Sequence, residues 1–163
     1  MGLRSRVARN CPPTRTRSFM ADNYLRLYVH FVWATWDRLP LIESAWESAL
    51  YHEIHNKAHK LDAKVLALGG IENHLHLLLR LTANHSMAGL MKQIKGGSAF
   101  FVNERGLTAN HFKWQGGYAA LTVSQWNLTR VAHYIRNQKQ HHAVNTTKSH
   151  MELPTDFSLF DDL

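Results

Sequence analysis

Cysteine, proline and long apolar runs are all scarce in this chain. Of its 163 residues, one is a cysteine, Cys11, and four are prolines. A single cysteine excludes an intrachain disulfide framework and a cysteine-based zinc site, and it favours a cytoplasmic location. No stretch approaches the roughly 18 consecutive apolar residues of a membrane-spanning helix, so we expect no membrane association. The length suits one compact domain.

Negative charge is also in short supply. Twelve acidic residues stand against nineteen lysines and arginines, which leaves a formal net charge of +7 at pH 7. Such an excess favours a polyanionic partner such as nucleic acid, because basic side chains displace counterions from phosphates.

The charge and the periodicity divide the chain into three parts. Residues 1–20 are rich in arginine and show no hydrophobic period, which predicts a disordered basic leader. This leader is either a DNA-binding arm or an upstream extension, with Met20 as the natural start. We expect one folded domain over residues 21–147 and an aperiodic C-terminal tail over residues 148–163.

Hydrophobic periodicity predicts seven secondary-structure elements. Gly69-Gly70 indicates a tight turn, and Ser86 and Ser124 are favourable N-caps. The first six elements match an α+β split βαβ arrangement, a four-stranded antiparallel sheet with helices on one face. The predicted strands are 24–34, 65–68, 74–81 and 119–123, and the predicted helices are 43–61, 87–103 and 125–142.

Two histidines stand two residues apart on the predicted third strand. Because successive strand residues face opposite sides, His74 and His76 project from one face, whereas Leu75 and Leu77 project from the other. Two imidazoles and one oxygen ligand can hold a divalent metal whose remaining positions are open to phosphate oxygens. Taken alone, the spacing also fits two surface histidines on a half-buried strand.

The last predicted helix carries Tyr134 and Gln138 four residues apart, on one helix face. Val131 and Ile135 form an adjoining apolar stripe. If that stripe packs near the histidines, Tyr134 reaches the metal site and the Gln138 amide oxygen can be a third ligand. An ordinary tyrosine pKa of about 10 means that attack on a phosphate needs metal activation or help with proton loss. A half-buried tyrosine on a basic helix fits the same pattern.

In combination, these features resemble the single-tyrosine HUH transposases of the insertion sequence 200/605 type, including the repeat-associated tyrosine transposases. The resemblance covers roughly residues 24–143 and rests on short motifs in a specific order. The motifs are Tyr28-Val29-His30-Phe31-Val32-Trp33-Ala34-Thr35 with Arg38, Asn73-His74-Leu75-His76-Leu77-Leu78, Ile94-Lys95-Gly96-Gly97-Ser98, Trp114-Gln115 with Gly117-Tyr118, and Tyr134-Ile135-Arg136-Asn137-Gln138 with His141-His142.

The resemblance implies a ferredoxin-like fold and a metal-dependent transposase that cleaves and rejoins one DNA strand. By this resemblance, His74, His76 and Gln138 would bind Mg²⁺ or Mn²⁺, and Tyr134 would form a 5′-phosphotyrosine intermediate. The implied substrate is single-stranded DNA that carries a hairpin, and a homodimer is expected. The arginine-rich leader and the Glu72 that stands before the histidine motif depart from the family pattern.

Basic and aromatic side chains of these elements are the predicted DNA contacts. The run His111–Tyr118 suits a loop that stacks on unpaired bases, and it suits a core-anchoring turn almost as well. The predicted DNA-binding residues are Arg26, Tyr28, His30, Lys92, Lys95, Trp114, Arg130 and Arg136.

Two other functions remain open at this level. A non-catalytic module could hold a single strand on an open sheet face that bears Tyr24, Tyr28 and His30. A metal-dependent hydrolase could use water in place of tyrosine. The joint presence of the two histidines, the tyrosine and the glutamine favours the transposase over the binding module.

Overall fold

A computed structural model describes residues 24–152 as a four-stranded antiparallel sheet with four α-helices. The strand order is β2-β3-β1-β4, which confirms the predicted split βαβ arrangement. The predicted leader and the tail beyond Glu152 lie outside the described residues. The strands are β1 (Leu27–Ala34), β2 (Lys64–Ile71), β3 (His74–Leu81) and β4 (Ala119–Thr122), and the helices are α1 (Ser44–Lys60), α2 (Met87–Glu104), α3 (Leu128–Arg136) and α4 (Gln138–Ala143).

Strand alternation gives the sheet two different faces. The odd-numbered leucines of β3, together with Phe31 and Trp33 of β1, are buried in the main core with α1 and α2. The opposite face carries the two histidines of β3, and there Leu78 packs with Val131 and Ile135 of α3 in a second cluster. The helices therefore cover both faces, and α3 lies on the face of the histidines.

The glycine pair of β2 does not form the predicted turn. Gly69 and Gly70 belong to the strand, and the turn to β3 falls at residues 72–73. Gly69 pairs in register with His76, and a Cβ on Gly69 would lie 2.1 Å from the carbonyl oxygen of Ile135. Because Gly69 has no side chain, α3 can approach β2 closely at this position.

The predicted helix 125–142 is broken into three pieces. Residues 125–127 form a 3₁₀ turn, and Asn137, with φ −103° and ψ 22°, separates α3 from α4. The Asn137 side chain donates a hydrogen bond of 3.0 Å to the carbonyl oxygen of His133, so a local side-chain contact competes with the regular helix. Because of this break, Gln138 begins a new helix and does not share one continuous face with Tyr134.

Two element boundaries also follow from the structure. β1 begins at Leu27 and not at Tyr24, because its partner β3 ends at Leu81. Ser86 caps α2 as predicted, since its side chain accepts a hydrogen bond from the backbone of Gly89. Within residues 24–152, no helix combines the length and the apolar character that crossing a membrane requires.

Candidate active site

The two histidines of β3 form the buried base of the site. His74 and His76 are 2% and 0% exposed. The Nδ1 atom of His74 lies 2.8 Å from the side-chain oxygen of Asn73, which can only accept a hydrogen bond. His74 therefore carries its proton on Nδ1, which leaves the lone pair of Nε2 free for a ligand role.

His30 of β1 provides the corresponding contact for His76. Its Nε2 atom lies 2.9 Å from Nδ1 of His76, and the planes of the two rings are inclined by 21°. Burial, and then the neighbouring His76, lower the pKa of His30 to about 3, so the ring is neutral. A neutral His30 can accept a hydrogen bond from Nδ1–H of His76, which leaves the Nε2 lone pair of His76 on the same side as that of His74.

A carboxylate completes the cluster, and the sequence analysis missed it. Glu152 follows a 3₁₀ turn at Ser149–Met151, and one of its oxygens, Oε2, lies 3.3 Å from Nε2 of both His74 and His76. Met151 is buried in the second cluster, next to α3. Residues 148–152, assigned in the sequence to a tail, therefore pack against the domain and supply a side chain to its site.

The donor atoms of this cluster fit a divalent metal. The ligand atoms of His74, His76 and Glu152 lie within 4.8 Å of one another. The two Nε2 atoms contact the carboxylate without hydrogen-bond alignment, and the amide of the buried Gln138 forms no well-aligned hydrogen bond with the described residues. Buried polar atoms without partners are costly. Two imidazoles, a carboxylate and an amide oxygen form a ligand set that divalent ions accept.

The tyrosine hydroxyl meets the same carboxylate. Tyr134 donates a hydrogen bond to Oε1 of Glu152 and accepts one of 3.0 Å from the backbone N–H of Lys148. The ring centroids of Tyr134 and His76 are 6.1 Å apart. This single chain therefore brings its own tyrosine to its own histidine pair.

The electrostatics keep the tyrosine protonated in this arrangement. Burial and the hydrogen bond to Glu152 raise the pKa of Tyr134, and they outweigh the opposite effects of the Lys148 N–H and the Gln138 amide. Burial raises the pKa of the Glu152 carboxyl, but the contacts with His74, His76 and Tyr134 outweigh it and hold that pKa well below its ordinary value. Glu152 is therefore negatively charged, which matches the needs of a bound cation.

His142 of α4 is a second side chain that the sequence analysis did not assign to the site. Its Nε2 atom lies 3.9 Å from Oε2 of Glu152, and its ring centroid lies 5.0 Å from that of His74. Burial, and then His74, lower the pKa of His142. Its place in the His141-His142 motif was a signal, whereas nothing in the spacing of the aperiodic tail pointed to Glu152.

Two predicted DNA contacts are corrected by the structure. His30 is 1% exposed and lies behind His76, and Trp114 is 5% exposed and donates a hydrogen bond of 3.0 Å to Ser98. Neither side chain is available to DNA in this arrangement. His30 lies on the same face of the sheet as the histidine pair, and the sequence could not show that other side chains cover it there. The run around Trp114 is a core-anchoring turn.

The other six predicted DNA contacts differ in whether their side chains are hydrogen-bonded to the protein. Lys95 donates hydrogen bonds of 2.7–2.9 Å to the three carbonyl oxygens of residues 115–117, so its ammonium group holds a loop. Arg136 is exposed and donates to the carbonyl oxygen of Leu66 at 2.8 Å. Four side chains, all exposed or partly exposed, form no hydrogen bond with another residue of the 24–152 part, and they are Arg26, Tyr28, Lys92 and Arg130.

Comparison with known proteins agrees with this geometry. A family model described as "Transposase IS200 like" matches residues 23–138. No significant match was found among curated protein sequences. A crystal structure of a candidate transposase from Deinococcus radiodurans R1 is 26% identical, covers 72% of this chain and 94% of its own, and superposes with a TM-score of 0.57.

A second solved structure, a REP-associated tyrosine transposase bound to a REP hairpin, has the same fold. It is 15% identical, covers 76% of this chain and 71% of its own, and has a TM-score of 0.55. The family model spans well over half of the chain, and it ends at Gln138, after the histidine pair and the tyrosine. The chain belongs to the IS200-like transposase family.

Proposed function

We propose that this chain is a metal-dependent tyrosine transposase that cleaves and rejoins one strand of hairpin-bearing single-stranded DNA. One observation carries the proposal: the Tyr134 hydroxyl and the buried pair His74 and His76 converge on a single carboxylate, Glu152. Membership of the family supports DNA as the substrate, and the structural neighbour bound to a REP hairpin supports a hairpin in it.

The metal site would consist of side chains from three separate parts of the chain. His74, His76 and Glu152 would hold Mg²⁺ or Mn²⁺, with the amide oxygen of Gln138 as a further ligand. When bound, the ion supplies Lewis-acid chemistry by drawing charge from the oxygens of the scissile phosphate. Asn73 and His30 hold the two imidazoles in the orientation that this role needs.

Tyr134 would act as the nucleophile. Its phenolic oxygen attacks the scissile phosphorus and forms a 5′-phosphotyrosine bond, while the bond from phosphorus to the 3′ oxygen breaks. Oε1 of Glu152 accepts the hydrogen bond of the tyrosine and orients its phenolic oxygen. The phenolic proton passes to water as the new bond forms, and the departing 3′ oxygen takes a proton from water and leaves as a hydroxyl. Attack of a 3′ hydroxyl on the phosphotyrosine reverses the step, so rejoining needs no nucleotide cofactor.

The test is a search for the covalent intermediate. Labelled single-stranded hairpin DNA from the flanks of the gene is incubated with the full chain and Mg²⁺ or Mn²⁺, and the products are separated by denaturing electrophoresis. We expect a DNA-linked protein band that needs metal and is lost in Tyr134→Phe. The matched control is Tyr51→Phe, which removes a phenol that donates a hydrogen bond to Glu47 within α1.

Two outcomes would contradict the proposal and identify its alternatives. Tight binding without an adduct under either metal would indicate a non-catalytic module for single-stranded nucleic acid. Metal-dependent cleavage that survives Tyr134→Phe would indicate a hydrolase that uses water.

A further inference from the structure

An open groove lies on the histidine face of the sheet, at the end away from His74. Its volume is about 710 Å³, and we call it the distal groove. The side chains that define it come from the residues just before β1, from β1, β2 and β3, and from the 3₁₀ turn before α3. They are Tyr24, Arg26, Tyr28, Lys64, Arg80 and Gln125.

Strand register places three of these side chains in one row. Arg80 of β3 pairs with Tyr28 of β1 on one side and with Lys64 of β2 on the other. Directly paired residues point to the same face of a sheet, and Arg80 is four residues beyond His76, which keeps it on the histidine face. The row therefore crosses three strands at about 13 Å from His76, at a rise of about 3.3 Å per residue.

The positive charge of the distal groove is not neutralised by the protein. Arg26, Lys64 and Arg80 are exposed, and none of them forms an ion pair with another residue of the 24–152 part. One acidic residue, Asp62, also lines the groove. The Arg26 guanidinium lies 4.9 Å from the centroid of the Tyr24 ring, which is 75% exposed. Unpaired cations beside open aromatic faces suit a ligand with phosphates and bases.

We propose that the distal groove binds the single-stranded part of the DNA substrate. Arg80 and Lys64 contact its phosphates, and Tyr24 and Tyr28 stack on its bases. Leu78, covered by α3, lies between the groove and His76 on β3. The groove therefore holds DNA without occupying the position of Tyr134. The inference rests on the proposed function in one respect, that the substrate contains unpaired DNA.

The test measures binding alone, so it does not depend on strand cleavage. Fluorescence anisotropy of a labelled hairpin with an unpaired flank is recorded without metal, in a Tyr134→Phe background, over a series of salt concentrations. Arg80→Ala should reduce the slope of log Kobs against log salt by about 0.7, the value for one phosphate contact on a single strand, and Lys64→Ala combined with it should reduce the slope by about 1.4. Arg105→Ala removes the same charge from the end of α2 and should leave the slope unchanged.

A second variant tests the stacking. Tyr28→Leu keeps an apolar side chain and should weaken binding of the flanked hairpin roughly 5- to 150-fold, the range for loss of one base–aromatic stack, while binding of a blunt duplex stays the same. The inference is overturned if slope and affinity are unchanged in both variants, or if blunt duplex and flanked hairpin lose affinity equally. Failure of the proposed chemistry would instead remove the adduct of the wild-type chain and leave these binding constants as they are.

Discussion

The two faces of β3 come from one run of eight residues and yet do opposite things. On one face, Leu75, Leu77 and Leu79 are fully buried among apolar side chains of α1 and α2. On the other, His74 and His76 are equally buried but face a carboxylate and polar atoms without partners. The same alternation thus places the apolar core on one side of the strand and the candidate site on the other.

The two faces also differ in the free energy of burying their side chains. An apolar core face stabilises the fold by about 25 cal/mol per Å² of buried apolar surface. The histidine face buries imidazoles, an amide and a carboxylate, which is unfavourable unless a ligand compensates. Substitutions on the two faces should therefore separate folding from chemistry.

The largest effect on folding is expected on the core face. Leu77→Ala removes a side chain that is 0% exposed, and it should lower the free energy of unfolding by about 2–5 kcal/mol. His76→Gln, one residue earlier on the opposite face, should leave the chain folded and abolish the metal-dependent adduct. Chemical denaturation and the adduct assay measure the two quantities. Equal destabilisation by both variants, with the adduct retained in His76→Gln, would contradict the division between the faces.

The next largest effect is expected from a substitution at the contact between α3 and the sheet. Gly69→Ala places a methyl group 2.1 Å from the carbonyl oxygen of Ile135, so α3 must move away from β2. We expect a loss of about 1–3 kcal/mol in unfolding free energy, typical of overpacking, and a loss of adduct because Tyr134 moves with α3. Gly116→Ala is the matched control, since a Cβ there meets nothing within 4 Å. A fully active Gly69→Ala would show that the approach of α3 does not position the tyrosine.

Metal affinity offers a finer comparison. His30→Ala removes the acceptor behind His76 and should weaken Mn²⁺ binding about 10–100-fold by calorimetry, as loss of such supporting hydrogen bonds typically does. His30→Gln retains an acceptor and should recover most of the affinity. His55→Ala on α1 serves as the control at a site away from the cluster. If Ala and Gln behave alike, His30 acts by packing and not by orienting His76.

The last prediction is that mixing two inactive variants does not restore the adduct. His76→Ala and Tyr134→Phe each lack one half of the site, and a mixture of the two should form no adduct, because the structure brings both halves together within one chain. The predicted homodimer is compatible with this result when each subunit uses its own tyrosine. Recovery of the adduct in the mixture would show that the tyrosine helix is exchanged between subunits.

Periodicity predicted those parts of the fold that depend on local sequence. The alternation of β3 correctly assigned His74 and His76 to one face, and the order of elements correctly gave the sheet. The break at Asn137 was missed, because a single side-chain hydrogen bond to His133 leaves no trace in the apolar pattern. The Gly69-Gly70 pair was interpreted as a turn, since the sequence alone does not show which backbone approaches it.

Long-range contacts account for the rest of the site. Glu152 reaches the histidines through a segment with no hydrophobic period, and its role depends on Met151 packing next to α3. His30 and Trp114 were assigned to DNA because an aromatic or basic residue on a strand or loop looks the same whether it is covered or open. A side chain's burial by distant elements depends on the packing of the whole domain, so the spacing of nearby residues cannot predict it.

The position of Glu152 also bears on the order in which the protein becomes complete during synthesis. A growing chain folds from its N-terminal side as it emerges. The sheet ends at Thr122, so all four strands, with the histidine pair on β3, emerge from the ribosome before Tyr134 and Glu152 do. The nascent protein can therefore form the sheet with its histidine pair first, and α3 brings the hydroxyl of Tyr134 to it later. Glu152, whose carboxylate contacts both histidines and the tyrosine, emerges last of these residues, so the cluster is completed only after the sheet has formed.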